Sequence, residues 1–253
     1  MHSDLKQYCL QLADNSLIHG HRLSEWCGHG PILEVDMALS NIALDNIGAA
    51  RSIYAFLAEQ EGEGKTEDYY PYTRDVREFL NVLLVELPNG DFADTMAKCL
   101  FFDAYQFYFY TALKQCNDST LAAIAEKSLK EVTYHLRFSS EWVIRLGDGT
   151  EESKENMQRA ISNFWEYTGE LFQPSAIETS LQKTLQLPDL NLIRDQWMEK
   201  ISEVLQEATL SFPLSSEKGW FQQGGKTGIH SEHLGFILAD LQFMQRAYPN
   251  SEW

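Results

Sequence analysis

Residues 99–113 read CLFFDAYQFYFYTAL, and a helix formed by them would be apolar or aromatic on nearly every side. Such a helix belongs in the middle of a bundle, because no face of it is suited to water. Residues 42–57 form a second segment of this kind, rich in Ala, Ile and Leu. Each segment carries one acid in its apolar part, Asp45 or Asp103. The two segments predict the centre of an α-helical bundle.

The remaining chain shows the same helical periodicity around these two segments. Apolar residues recur every three or four positions, for example at Ile193, Trp197, Ile201 and Leu205. No run alternates as a half-buried strand does, and clusters of Gly and Pro separate the periodic stretches. The predicted helices lie near residues 4–26, 33–60, 73–87, 92–116, 119–146, 152–172, 190–210 and 231–248. We therefore predict one all-α domain over residues 1–253, a four-helix bundle with additional helices packed around it.

The chain is strongly acidic, with 20 Lys and Arg against 37 Asp and Glu and a formal charge of −17. This charge repels phosphate backbones and anionic lipids, which argues against nucleic acid or membrane as the main partner. A small anionic ligand at a local basic cluster remains compatible with it. The four cysteines form no CxxC pair, and no apolar run approaches the roughly 20 residues of a membrane span. We expect a soluble, cytoplasmic protein with free thiols.

The central helices resemble a di-iron site that lacks its histidines. Di-iron carboxylate bundles use a Glu on each of two helices and a Glu-x-x-His on each of the other two. This chain offers Asp45-x-x-Gly48 on one helix and Glu131-x-x-Tyr134 on another. Glycine and tyrosine therefore stand where the two imidazoles would be. We predict no bound metal and no catalytic residue in this chain.

Asp103 supplies a further carboxylate for the same interpretation. His135 directly follows Tyr134 but lies about 100° further round the helix, and we expect it to face elsewhere. The hypothesis is a buried hydrogen-bond network with Arg51 or another basic partner. Its vestigial metal-site positions are Asp45, Gly48, Asp103, Glu131 and Tyr134.

Two features near the C-terminus leave alternatives open. His230 and His233 are three residues apart, a spacing that can chelate zinc, but Ser231 between them also fits a helix N-cap. The stretch 212–228 is long, Gly-rich and contains lysine, which indicates a binding or docking loop.

Several long blocks resemble the C-subunit family of the bacterial ring-1,2-phenylacetyl-CoA epoxidases (phenylacetate-CoA oxygenases), within the ferritin-like superfamily. The blocks are LADNSLIHGHRLSEWCGHGP (12–31), LEVDMALSNIALDNIGAARS (33–52), TRDVREFLNVLLVELPNGDFADT (73–95), KEVTYHLRFSSEWVIRLGDGT (130–150) and GGKTGIHSEHLGFILADLQFMQRAYP (224–249). The resemblance implies a ferritin-like fold and a heterodimer with a homologous A subunit that carries the di-iron centre. It also implies a higher assembly, electrons from a separate reductase component and no cofactor in this chain.

The resemblance further implies that this chain approaches the CoA thioester substrate. The positions that it implies are Glu78, Phe79, Leu80 and Asn81, and a second segment of Thr179, Ser180 and Leu181, where Leu181 fits the pattern best. The alternative for both segments is ordinary packing with polar residues on the helix surface.

Three functions from different classes are compatible with these observations. The first is a non-catalytic, structural subunit of the epoxidase in aerobic phenylacetate degradation, which predicts a large apolar interface with another helical protein. The second is a stand-alone ferritin-like di-iron oxidase or metal-storage protein, against which the missing histidines count. The third is a general helical scaffold, which differs from the first only in its partner.

Overall fold

The computed structural model describes residues 3–62, 64–213, 221–249 and 251. These residues form α-helices and short 3-10 turns and contain no β-strand, which confirms the predicted all-α, ferritin-like class. The helices are α1 (Ser3–Ser24), α2 (Leu33–Glu61), α3 (Tyr69–Thr73), α4 (Leu83–Glu86), α5 (Phe92–Leu113), α6 (Ser119–Gly147), α7 (Glu151–Phe164), α8 (Ala176–Leu185), α9 (Leu190–Glu207) and α10 (Glu232–Ala247). No helix in the described ranges is long and apolar enough to cross a lipid bilayer.

The chain divides into two compact units. The first consists of residues 1–88, 175–181 and 224–253, and the second of residues 89–174 and 182–223. The single domain over residues 1–253 remains a prediction.

In the first unit, α1 and α2 pack along each other as a helical hairpin. Their backbones come close at Gly20, where a Cβ atom would lie 3.0 Å from the carbonyl oxygen of Ala43. At its end, α2 stops at Gly62, whose φ of 65° is the left-handed conformation that glycine adopts without strain. Gln242 of α10 donates from Nε2 to the carbonyl oxygens of Pro71 and Arg74, both at 2.8 Å, which ties α10 to the α3 region.

In the second unit, α5 pairs with α6 and also contacts α7 and α9. Asp91 caps α5 by accepting from the backbone N–H of Asp94, as N-terminal Asp residues commonly do. Phe101, Trp165 and Trp197 form an aromatic cluster with ring centroids 5.6–5.7 Å apart. The segment 99–113 predicted to be central is buried along most of its length, including Phe101, because α5 has packed neighbours on several sides.

The predicted helix over residues 73–87 is wrong. The chain there forms α3, a 3-10 turn at Val76–Glu78 and the short helix α4, with extended backbone between them. Its amides bond to α1 instead of to a helical ladder: Leu80 N–H donates to Asp14 and Val82 N–H to Asn15, both at 2.8 Å. The helix predicted over 152–172 ends at Phe164 and continues as two 3-10 turns, and α8 was not predicted.

Candidate functional site

The irregular segment between α3 and α4 lines a pocket of about 690 Å³ in the first unit. The opposite walls come from the start of α1, from residues 175–177 and from residues 226–227. Four of its lining side chains are cationic and one is acidic, namely Lys6, Arg74, Arg77, Lys226 and Glu78. The pocket is therefore a basic site in a chain whose formal charge is −17.

A buried ion pair holds the floor of this pocket. Arg74 donates from Nη2 to Asp14 Oδ1 at 2.5 Å and from Nη1 to Oδ2 at 3.0 Å. The hydroxyl of Tyr54 donates to the same Asp14 Oδ1 at 2.5 Å. Burial opposes the charge on Arg74, but Asp14 and Tyr54 raise the pKa of its guanidinium overall. Together with Leu80 N–H, these donors surround both carboxylate oxygens of Asp14, which is what a buried charge requires.

A second cluster sets the charge at the rim near α1. The carboxylate of Glu61 accepts from Lys6 at 2.5 Å, from Lys65 at 2.9 Å and from the hydroxyl of Tyr70 at 3.0 Å. Burial raises the pKa of Glu61, but these hydrogen bonds outweigh it and lower the pKa to about 2. The guanidinium of Arg77, by contrast, makes no hydrogen bond or ion pair with any residue that the structure describes. Arg77 is thus the lining cation that remains available to a ligand.

The loop 224–228 closes one side of the pocket. Lys226 pairs with Glu178 at 3.1 Å, and both side chains are less than 10% exposed. The loop lies so close to the neighbouring segment that a Cβ atom on Gly225 would be 2.1 Å from the carbonyl oxygen of Asn81. Of the predicted binding loop 212–228, residues 226–227 line the pocket, and residues 214–220 lie outside the described residues.

His230 and Glu86 connect this loop to the segment behind the pocket. His230 Nδ1 lies 2.8 Å from Glu86 Oε2, and its Nε2 lies 2.8 Å from the carbonyl oxygen of Phe79. Both side chains are fully buried. Ser231 caps α10, because its hydroxyl accepts from His233 N–H at 3.3 Å. Since Glu86 and Phe79 occupy both ring nitrogens of His230, the geometry favours the helix N-cap over zinc for this motif.

The predicted substrate-contact residues divide into two groups. Glu78 and Leu80 line the pocket, whereas Phe79 and Asn81 are completely buried behind it. The second segment does not line the pocket itself, which residues 175–177 line instead. Thr179 and Ser180 are exposed, and Leu181 is buried. A role in substrate binding stays a prediction for all seven residues.

The vestigial metal-site positions lie in both units, and the first unit contains Asp45 and Gly48. Asp45 is half-buried on α2. A Cβ atom on Gly48 would meet nothing within 4 Å, so this position faces open space. Arg51, expected as a basic partner inside the protein, instead pairs with Glu67 at 2.8 Å and is 73% exposed. The predicted role of Arg51 in a buried network is therefore wrong.

In the second unit, the prediction that Tyr134 belongs to a buried hydrogen-bond network is also wrong. Its side chain is 40% exposed and lies beside Phe138 on the outside of α6, while Glu131 is half-buried. The residue that points inward is His135, 1% exposed, which we expected to face elsewhere. The physical reason is that Val132, His135 and Ser139 share the buried face of α6.

Asp103 is buried as predicted, and its surroundings set its charge. Burial raises the pKa of Asp103 to about 6, although His135 and a hydrogen bond with Ser139 act to lower it. Its Oδ1 atom has no hydrogen-bond partner among the described residues. No cluster of three or more His, Cys, Asp or Glu side chains in the described ranges is arranged to hold a metal ion. At the positions predicted for a di-iron site, Gly48 has no side-chain donor atom and Tyr134 lies on the outside of α6.

Sequence reasoning missed the pocket cations and the role of His230. Lys6, Arg74 and Lys226 are far apart in the chain, so no local motif connects them. The one local signal was the sequence GGKTG at residues 224–228, which places a lysine between glycines that allow close backbone approach.

Two comparisons with known proteins match this chain over nearly its full length. The family described as "Phenylacetic acid catabolic protein" matches residues 1–253. The C subunit of 1,2-phenylacetyl-CoA epoxidase from Escherichia coli (strain K12) is 45% identical over 251 residues, which cover 99% of this chain and 100% of that protein. A match of this length and identity shows common descent of the whole chain. The chain belongs to the phenylacetic acid catabolic protein family.

Proposed function

We propose that this chain is the structural, non-catalytic C subunit of a cytoplasmic phenylacetyl-CoA epoxidase in phenylacetate catabolism. In this proposal it forms a heterodimer with the homologous catalytic A subunit, which supplies the di-iron centre. The observation that carries the proposal is the 45% identity to the C subunit of a named epoxidase over that protein's entire length. The donor set described above supports a non-catalytic role, since Gly48 offers no ligand and Tyr134 lies on the outside of α6.

An apolar stripe on α2 supports a protein partner. Leu33, Met37 and Leu44 are 71%, 57% and 65% exposed, and their spacing places them on one face of the helix. We call these three residues the α2 stripe. Exposed apolar side chains grouped on one helix face mark an interaction surface more often than a surface adapted to water. A second helical protein of the same family is the partner of suitable shape and chemistry.

The basic pocket supports an approach to the CoA part of the substrate. A CoA thioester carries several phosphate charges and an adenine ring. Arg77 can pair with phosphate, because a guanidinium presents several donors to anionic oxygens. Tyr69 lines the same pocket and is 41% exposed, so its ring can stack on a planar base. In this proposal, Glu78 and Leu80 are the predicted contact residues that reach the ligand.

The partner claim is tested by co-expression with the di-iron homologue and affinity copurification. We expect Leu44→Glu to lower the yield of the copurified partner at least about tenfold, because a charge in an apolar interface loses both burial and solvation. Leu192→Glu on α9, a 58% exposed leucine outside the α2 stripe, is the matched control and should retain the partner. Both variants should fold, since the substituted side chains are exposed. Equal partner yields for the two variants would show that the α2 stripe is not the interface.

A further inference from the structure

We propose that His230, as an imidazolium, is a positioning residue for the basic pocket. Its two N–H groups fix the Phe79 carbonyl and the Glu86 carboxylate, and thereby hold Glu78 and Leu80 at the pocket wall. The inference deepens the proposed function and rests on it for the identity of the ligand. His230 does not line the pocket itself, so it acts through the segment that it holds.

The geometry specifies the protonated form. A neutral imidazole has one donor nitrogen, whereas an imidazolium donates from both. His230 faces an acceptor on each side, Glu86 Oε2 and Phe79 O, each at 2.8 Å. Its side chain is 0% exposed. Because both ring nitrogens face an acceptor, only the protonated form donates to both of them at once.

The groups around Glu86 favour the same protonation state. Glu86 Oε1 accepts from Ser231 N–H at 2.7 Å, and Oε2 also accepts from Asn81 Nδ2 at 2.9 Å. Both carboxylate oxygens of Glu86 therefore act as acceptors in a fully buried position. Its backbone oxygen accepts from the guanidinium of Arg22 on α1, at 2.8 and 3.0 Å.

Asp14 is the other acid that acts on His230, and it is itself paired with Arg74. Burial lowers the pKa of His230, but the hydrogen bond and charge of Glu86, the Phe79 carbonyl and Asp14 raise it above its ordinary value overall. The charged state of His230 therefore persists to higher pH than that of an ordinary histidine.

A neutral ring that keeps its N–H on the Glu86 carboxylate leaves the Phe79 carbonyl without a donor, whereas Glu86 Oε2 still accepts from Asn81. The Phe79 carbonyl lies directly between Glu78 and Leu80, so its release changes the wall of the pocket. A binding site holds its ligand less tightly when part of its wall leaves the position that the ligand requires. Ligand affinity should therefore fall as the pH rises through the pKa of His230 in the folded protein.

The test measures coenzyme A binding to the full chain by calorimetry from about pH 6 to about pH 9, a range that begins near the ordinary pKa of histidine and extends above it. We expect the affinity of the unaltered chain to fall on the order of tenfold across this range. His230→Gln should bind weakly throughout, without this dependence. His233→Gln, the matched control in the first turn of α10, should follow the unaltered chain. A His230→Gln variant with unaltered affinity and pH profile would overturn the proposal.

Glu86→Gln provides a second variant should His230→Gln fail to fold. Removal of the Glu86 charge should move the midpoint of the affinity profile to lower pH by about one unit or more. A purely structural role of these residues would change the affinity but leave that midpoint where it is, and an unmoved midpoint contradicts the proposal.

Amide hydrogen exchange separates this inference from the identity of the ligand. The N–H groups of Leu80 and Val82, bonded to Asp14 and Asn15, report on the segment that His230 holds. Their protection should drop in His230→Gln and remain in His233→Gln, whether or not coenzyme A binds. If the unaltered chain shows the expected protection but binds no coenzyme A, the proposed ligand is wrong while the positioning role stands. Equal protection in both variants would overturn the positioning role.

Discussion

The buried ion pair of Asp14 and Arg74 brings one lining residue of the pocket, Arg74, into contact with α1. Arg74→Met leaves Asp14 in the interior without its counter-charge, which costs about 3–5 kcal/mol in comparable buried pairs. Urea unfolding should show this loss in the free energy of unfolding. Arg51→Met breaks the exposed pair with Glu67 and should cost less than about 1 kcal/mol. Similar losses in both variants would show that the Asp14–Arg74 pair does not stabilise the unit.

Asp103 should give the chain a pH-dependent stability of a specific sign. Burial raises its folded pKa from 3.8 to about 6, so the folded state holds this proton more tightly than the unfolded state does. The stabilising contribution is complete below about pH 4 and is lost as the pH rises to about 6.

Asp103→Asn, which stays neutral, should therefore raise the free energy of unfolding near about pH 8, by up to about 3 kcal/mol, and change it little near about pH 4. Denaturant unfolding at the two pH values measures this difference. The exposed Asp195→Asn should have no comparable effect at either pH. A stabilisation by Asp103→Asn that is equal at both pH values would contradict the assignment.

Single residues also show where sequence reasoning reached its limit. The spacing Glu131-x-x-Tyr134 correctly placed two side chains on one helix face, but it did not say which face is inside. The apolar positions Val132, Leu136 and Val143 carried that information, because their common face is buried and includes His135. A metal-ligand spacing is therefore informative only after the buried face of the helix has been assigned from apolar periodicity.

At the scale of elements, the glycines of the C-terminal region differ in their surroundings. A Cβ atom on Gly225 would collide with the backbone of Asn81, whereas one on Gly235 in α10 meets nothing within 4 Å. Gly225→Ala should displace the loop 224–228 and lower coenzyme A affinity. Gly235→Ala should leave affinity unchanged and stabilise the chain by about 0.5–1 kcal/mol, since alanine favours helix. Calorimetry and thermal unfolding of both variants check this, and an unchanged affinity in Gly225→Ala would contradict it.

The long helices were predictable and the short ones were not. The helices predicted near 33–60 and 119–146 match α2 and α6 within a residue, because their periodicity extends over many turns. The stretch 73–87 failed because bonds to α1, with partners 66 and 67 residues away, replace its helical ladder. Local propensity contains no information about such partners.

At the scale of the whole molecule, a net charge of −17 coexists with a basic pocket and an apolar α2 stripe. The overall charge keeps the surface away from polyanions. In the pocket, acids pair with Lys6, Arg74 and Lys226, which leaves Arg77 to meet an anion. These properties suit a protein that meets one anionic ligand and one protein partner. The net charge could be read from the composition. The location of the pocket could not, because it depends on packing between residues far apart in the sequence.

The central claim, a non-catalytic subunit that depends on a di-iron partner, is tested most directly by iron analysis and turnover. Both are measured on the chain alone and after copurification with its co-expressed homologue. We expect the chain alone to bind no stoichiometric iron and to be inactive. The copurified pair should contain iron and oxidise phenylacetyl-CoA with the reductase. A chain that alone binds about two irons and turns over substrate would contradict the account, because such a site needs the ligands that Gly48 and Tyr134 do not provide.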